Sequence, residues 1–150
     1  MSKPQKIDAK INIALIDPNA KYPKYAHEDD AGADLYSCEN TILPPHDRKL
    51  IATGITMEIP PGFEGQIRPR SGNALQHGFT VLNSPGTIDS NYRGEICVLL
   101  YNTTDEPIDI YIGDRIAQIV FCKLPFVKLV HADELSDSDR GSNGFGSTGR

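Results

Sequence analysis

The sequence offers little cysteine, no excess of positive charge and no long apolar run. Its three cysteines, Cys38, Cys97 and Cys122, are odd in number and far apart. That is a poor disulfide framework, and it reads as reduced thiols in a cytoplasmic protein. Neither the cysteines nor His27, His46, His77 and His131 stand at zinc-ligand spacing. The formal net charge is -5, so no global basic field gathers nucleic acid. A negative chain that handles a polyanion must concentrate positive charge locally or bring a metal ion. No apolar stretch is long enough to span a membrane, and Met1 to Lys10 is polar, without the apolar core of a secretory signal. Partners of the nucleic-acid and membrane classes are therefore not expected.

What the chain does have is punctuation. Thirteen glycines and eleven prolines interrupt 150 residues, a length that suits one domain. The segments between them are short and rich in Ile, Val, Thr and Tyr, so long helices are disfavoured. Strands are predicted over Lys10–Ile16, Leu50–Ile59, Phe63–Ile67, Phe79–Leu82, Ile96–Tyr101, Ile108–Ile112, Ile116–Leu124 and Phe126–Val130. A helical turn is expected only within Ser71–His77. Many short strands with frequent turns indicate an all-β, antiparallel jelly-roll-like barrel or sandwich. After Leu135 the composition shifts to Ser, Gly, Asp, Asn and Arg. Residues 1–135 are read as the β domain and 136–150 as a flexible arm.

Five polar clusters stand out. Ala31-Gly-Ala-Asp-Leu35 places Asp34 where a strand begins, although a capping aspartate would look the same. Pro69-Arg-Ser-Gly72 sets a guanidinium, a hydroxyl and a flexible backbone side by side. Arg70 suits a bidentate phosphate contact, Ser71 a hydrogen bond, and Gly72 close approach of backbone amides. A surface turn has the same composition. Third, Phe79–Leu82 and Ile96–Leu100 read as legs of a hairpin-like unit, and Gly86-Thr-Ile-Asp-Ser-Asn-Tyr-Arg-Gly-Glu95 between them is far longer than a tight turn. Asp89 there can orient and deprotonate water, and the Tyr92 ring can pack on a sugar or base. Fourth, Gly113-Asp-Arg-Ile-Ala-Gln-Ile-Val-Phe121 carries Gln118 inside an apolar strand, where an amide needs a partner. Alternation puts Ile116, Gln118 and Val120 on one face, and Ala117, Ile119 and Phe121 on the other. Arg115 reads as an ion-pair residue. Fifth, Arg140-Gly-Ser-Asn-Gly-Phe-Gly-Ser-Thr-Gly-Arg150 suits phosphate wrapping, yet lacks the lysine of a Walker loop. Phe145 is its single apolar side chain.

Taken together and in this order, with Asn83 just ahead of the third, these clusters resemble the five motifs of the trimeric dUTPase family. The similarity runs from about Ala31 to the C-terminus. No single motif is specific; five in sequence are. The resemblance implies a jelly-roll homotrimer with sites shared between subunits. It implies hydrolysis of dUTP to dUMP and pyrophosphate by water attack at the α-phosphorus, which limits uracil in DNA and supplies dUMP for dTMP synthesis. It assigns Arg70, Ser71 and Gly72 to phosphates. Asn83 and the backbone of Gly86, Thr87, Ile88 and Asp89 would read uracil, and Tyr92 would exclude a ribose 2′-hydroxyl. Asp89 would hold the 3′-hydroxyl and activate water, and Gln118 would contact the α-phosphate. The arm would close from another subunit, with Phe145 over uracil and Arg140, Gly146, Ser147 and Thr148 on the outer phosphates. Magnesium (Mg2+) would ride on the triphosphate, with Asp34 reaching it through water. Two rivals share the architecture: a dCTP deaminase-like enzyme, which releases ammonia, and a non-catalytic jelly-roll binding module, which turns over nothing.

Overall fold

The computed structural model describes residues 7–149. Two antiparallel four-stranded sheets face each other across one apolar core, with a two-stranded ribbon beside them. The strands are β1 (Asn12–Leu15), β2 (Ala33–Tyr36), β3 (Thr41–Leu43), β4 (Arg48–Glu58), β5 (Phe63–Arg68), β6 (Phe79–Val81), β7 (Gly86–Ile88), β8 (Glu95–Asn102), β9 (Ile108–Ile110) and β10 (Arg115–Lys123). The first sheet runs β1-β4-β8-β6, the second β2-β10-β5-β7, and β3 pairs with β9. This is the jelly-roll-like architecture expected from the pattern of strands and turns.

The period-2 pattern explains the packing. On β8, Ile96, Val98, Leu100 and Asn102 are fully buried while the residues between them are not. Asn102 is tolerated there because every polar atom is satisfied. Its Nδ2 donates to Leu43 O (3.2 Å) and Glu106 O (2.8 Å), and its Oδ1 accepts from Thr104 N and Oγ1. Ile51, Ile55 and Met57 meet Leu35, Ile67, Ala117 and Ile119 from the opposite sheet. The chain changes sheets at Pro60-Pro61-Gly62, where Gly62 takes a left-handed φ of 87°.

Two expectations fail, each for a physical reason. Phe126–Val130 forms no strand. Phe126 and Leu129 are fully exposed, and the last backbone bond to the body is Leu124 N to Gly62 O (2.8 Å). The segment has the side chains of a strand but pairs with no strand of its own chain. On β10, strict alternation is broken by a register shift between Arg115 and Ala117 against β2, so Ile116 and Ala117 are both buried. Gln118 and Ile116 therefore do not share a face.

Candidate active site

The third cluster owes its shape to a change of sheet. β6 and β8 pair as the expected legs, with Phe79 opposite Asn102 and Val81 opposite Leu100. Between them the chain leaves the first sheet and adds β7 to the edge of the second, with Gly86 opposite Ile67 and Ile88 opposite Gly65. The Ser84–Pro85 peptide at the crossing is cis. Asn83 folds over Gly86, where an added Cβ would lie 3.2 Å from Asn83 Nδ2 and 3.4 Å from Ile67 Cβ. A side chain at this position would press on the Asn83 amide.

Past Ile88 the chain turns, with Tyr92 N donating to Asp89 O (3.1 Å). The Tyr92 hydroxyl donates to Glu95 O (3.0 Å), and its ring lies over Gly94. Glu95 is tied down in turn: its Oε1 accepts from Gly54 N (2.8 Å) at a bulge in β4. Gly54 has φ 68°, and a Cβ there would sit 2.6 Å from Asp17 Cβ and 2.8 Å from Ala20 Cβ, so the bulge requires glycine. Asp89 and Tyr92, both exposed, open onto a cleft of about 280 Å³ with Leu50, Thr87, Glu95 and Cys97. Burial, and then the charge of Glu95, pushes the Cys97 thiol up to about 11. Burial, then Asp17, likewise raises that of Cys38. Both are protonated near neutral pH, so neither offers a thiolate nucleophile.

A second recess gathers the first, second and fourth clusters. Asp34, Arg70, Ser71, Gly72 and Gln118 line it together with Gly32 and Asp30. The register explains the meeting, because Gln118 of β10 sits opposite Asp34 of β2 on one side and Arg68 of β5 on the other. Arg70 follows across Pro69 and makes a 2.8 Å ion pair with Asp34. Arg115 reaches the other oxygen of Asp34 at 3.6 Å. Gln118 Nε2 donates to Pro69 O (2.9 Å), the partner an amide in an apolar strand requires. Beyond Ser71 and Gly72 the chain makes a single wide helical turn, Asn73–His77, closed by Gly78 in the left-handed region (φ 72°). Asn73 pins that turn by donating to Arg115 O (2.8 Å).

The two recesses share no lining residue. Asp89 lies just past the Ile88–Gly65 pair, at the start of β5, while Arg70 lies beyond Arg68, at its end. Four residues from Glu64 to Arg68 alone separate the two levels by roughly 13 Å at strand rise. The arm joins neither recess. Beyond Leu124, among the described residues, hydrogen bonds are all local, such as Arg140 Nε to Asn143 O (2.8 Å). Phe145 is fully exposed with φ 49°, and an added Cβ at Gly141, Gly144, Gly146 or Gly149 would touch nothing within 4 Å. Ser147 and Thr148 are exposed beside it, and Arg150 lies outside the described residues. Glu95 and Gly32 lie inside two of the five clusters without a role of their own in the sequence reading, and Leu50 lies outside all of them. Their roles come from a bulge, a close approach and a sheet neighbour that no local pattern encodes.

A sequence model of the dUTPase family matches residues 18–149. The chain belongs to the dUTPase family. It is 54% identical over 137 residues to the deoxyuridine 5'-triphosphate nucleotidohydrolase of Clostridium kluyveri, covering 91% of this chain and 96% of that one. It is 50% identical to the enzyme of the same name from Nautilia profundicola, with 94% and 99% covered. Among solved structures it resembles the Staphylococcus bacteriophage 80alpha dUTPase with dUPNHPP, at TM-score 0.87 and 28% identity over 94% of this chain and 99% of that chain. It also shares its fold with a phage phi11 dUTPase variant described as coordinating a structural Mg(II) ion, at TM-score 0.78 and 24% identity over 84% and 98%. As a member of this family the chain is a hydrolase of dUTP, and its all-β fold is the family's. Among the described residues no helix is long and apolar enough to cross a membrane.

Proposed function

We propose that the chain cleaves dUTP to dUMP and pyrophosphate by water attack at the α-phosphorus, in sites shared by the subunits of a homotrimer. One observation carries this reading: the residues suited to hold and activate a nucleoside and those suited to hold phosphates occupy opposite ends of β5. A base at Asp89 and a guanidinium at Arg70 must act within a few ångströms of one triphosphate. One copy keeps them too far apart, so the Asp89 cleft of one subunit meets the Arg70 recess of another. The unpaired Phe126–Val130 segment carries the arm from the body of one copy toward such a junction.

In this assembly Asn83 and the backbone of Gly86, Thr87 and Ile88 read the uracil edge, and Tyr92, steadied by Glu95, fills the space of a ribose 2′-hydroxyl. Asp89 holds the 3′-hydroxyl, orients the water and takes its proton. Arg70, Ser71 and Gly72 bind phosphates, and Gln118, fixed on Pro69 O, lies beside the α-phosphate. The arm then closes, with Phe145 over uracil and Arg140, Gly146, Ser147 and Thr148 on the outer phosphates, excluding water.

Among the described residues no three His, Cys, Asp or Glu side chains cluster as a metal cage. The Arg70 recess instead offers two carboxylates, Asp30 and Asp34, which suits an ion carried mainly by phosphates and water. Magnesium bound in this way would neutralise phosphate charge. The residues would contact it through its water shell, Asp34 among them. The three free cysteines accord with the cytoplasmic setting assigned from the sequence.

The deciding experiment measures pyrophosphate released from dUTP, UTP, dTTP and dCTP with magnesium. The expected result is turnover of dUTP, at least a hundredfold preferred over the other three. Ammonia from dCTP without pyrophosphate from dUTP would establish the deaminase instead, and turnover of none would leave a binding module.

A further inference from the structure

Asp34 is placed in a way that its suggested position near a metal does not require. Its side chain is only 11% exposed, and it stands on β2 facing Gln118. A carboxylate so enclosed is costly unless charges compensate it. Two do, and they come from different strands' ends: Arg70 Nε at 2.8 Å from Oδ1, and Arg115 Nε at 3.6 Å from Oδ2. Among the described residues neither arginine forms an ion pair with any other carboxylate. Asp34 is therefore the group that holds the Arg70 guanidinium at the rim of its recess, and it offsets the repulsion between two like charges meeting there. Asp30 lines the same recess, so what a polyphosphate meets there depends on where Arg70 is aimed and not on a surplus of charge.

We propose that Asp34 is a positioning residue that aims Arg70 at the substrate's phosphates, and that Arg115 shares the same carboxylate as a supporting cation. This rests on the reading of Arg70 as a phosphate ligand. With one edge of its fork drawn toward Asp34, Arg70 keeps its remaining N–H groups for an incoming anion. Arg115, half-exposed and looser, braces the other carboxylate oxygen of Asp34. Such a role acts through arginines, and so does not depend on whether a metal is bound.

That independence supplies the test. Binding of a dUTP analogue with an imido bridge between the α- and β-phosphates is measured calorimetrically on the full chain, once with magnesium and once in EDTA. Asp34→Asn, which keeps shape but loses charge, is expected to weaken binding about tenfold under both conditions. In an Arg70→Ala background the same change should matter less than twofold, because the group it positions is gone. Asp34→Glu, which restores the charge one methylene further out, should recover most of the affinity; it also serves if the Asn variant unfolds. Steady-state kinetics should place the loss in KM rather than kcat. A defect confined to the magnesium condition, or full additivity with Arg70→Ala, overturns the proposal in favour of a role at the metal or in folding alone. A wild-type chain that binds the analogue in neither condition overturns the phosphate-site reading as well, and is distinguishable because no variant is then involved.

Discussion

Gly32→Ala is the sharpest perturbation the structure offers. Gly32 carries no left-handed φ, so alanine meets no backbone penalty there. Its Cβ would instead overlap Gln118 Oε1 and lie 3.0 Å from Gln118 Cδ and 3.2 Å from Gln118 Cβ. The amide end can swing away, but doing so breaks its hydrogen bond to Pro69 O (2.9 Å). A net hydrogen bond is worth about 1 kcal/mol, and leaving a half-buried carbonyl unpaired raises the cost toward about 2 kcal/mol. In a chain of this length that corresponds to a fall in Tm of roughly 3–8 °C, compared at one fixed protein concentration. The same movement frees Pro69 and with it Arg70, so KM for dUTP should rise severalfold. The decisive assay is a double-mutant cycle by thermal or urea unfolding. Gln118→Ala removes the atoms that collide, so adding Gly32→Ala to it should cost only a few tenths of a kcal/mol (about 0.3). Additive losses, or a Gly32→Ala variant as stable as wild type, would refute the claim that Gly32 exists to admit Gln118.

Other consequences follow from the same geometry. Asp89→Ala should lower kcat by a factor of about 10² to 10⁴ while analogue affinity stays within roughly tenfold; full turnover would remove Asp89 as the base. Deleting residues 136–150 should leave Tm within about 2 °C, since among the described residues that segment hydrogen-bonds only to itself, yet reduce turnover at least a hundredfold. Unchanged rates would dismiss the arm as a lid. The raised Cys97 thiol predicts a pH effect. Its folded value of about 11 lies above the ordinary 9.0, so between these values the unfolded chain ionises first and stability falls as pH rises. Cys97→Ala should flatten the decline in urea midpoint between pH 9 and 11, and an identical slope would count against the assignment.

The limits of sequence reasoning are visible in single residues. Period-2 patterning located seven of the ten strands in whole or part, because a half-buried strand writes its own burial into alternate positions. Three strands lack such a signature: β2 shows only its start at Asp34, β7 lies inside a segment too long for a turn, and Thr41–Leu43 is too short to show a period. Patterning also produced a strand at Phe126–Val130, because side-chain pattern reports what a segment could bury and says nothing about whether a partner strand exists in the same chain. On β10 a bulge defeated the face assignment of Ile116.

For the proposed site, residue types and their order mark Arg70, Asp89, Tyr92, Gln118 and the Phe145 arm as candidates, since functional groups are properties of the side chains themselves, but they do not give the arrangement. Which of them meet was decided by strand register. Pairing of β10 with both β2 and β5 put Gln118, Asp34 and Arg70 around one recess, and pairing of β7 with β5 sent Asp89 to the far end. Register depends on contacts between residues tens of positions apart, which no local composition carries. Tertiary structure alone therefore gave Asp34 its two arginines, Gln118 its glycine, and the Asp89 cleft and the Arg70 recess separate places on one copy of the chain.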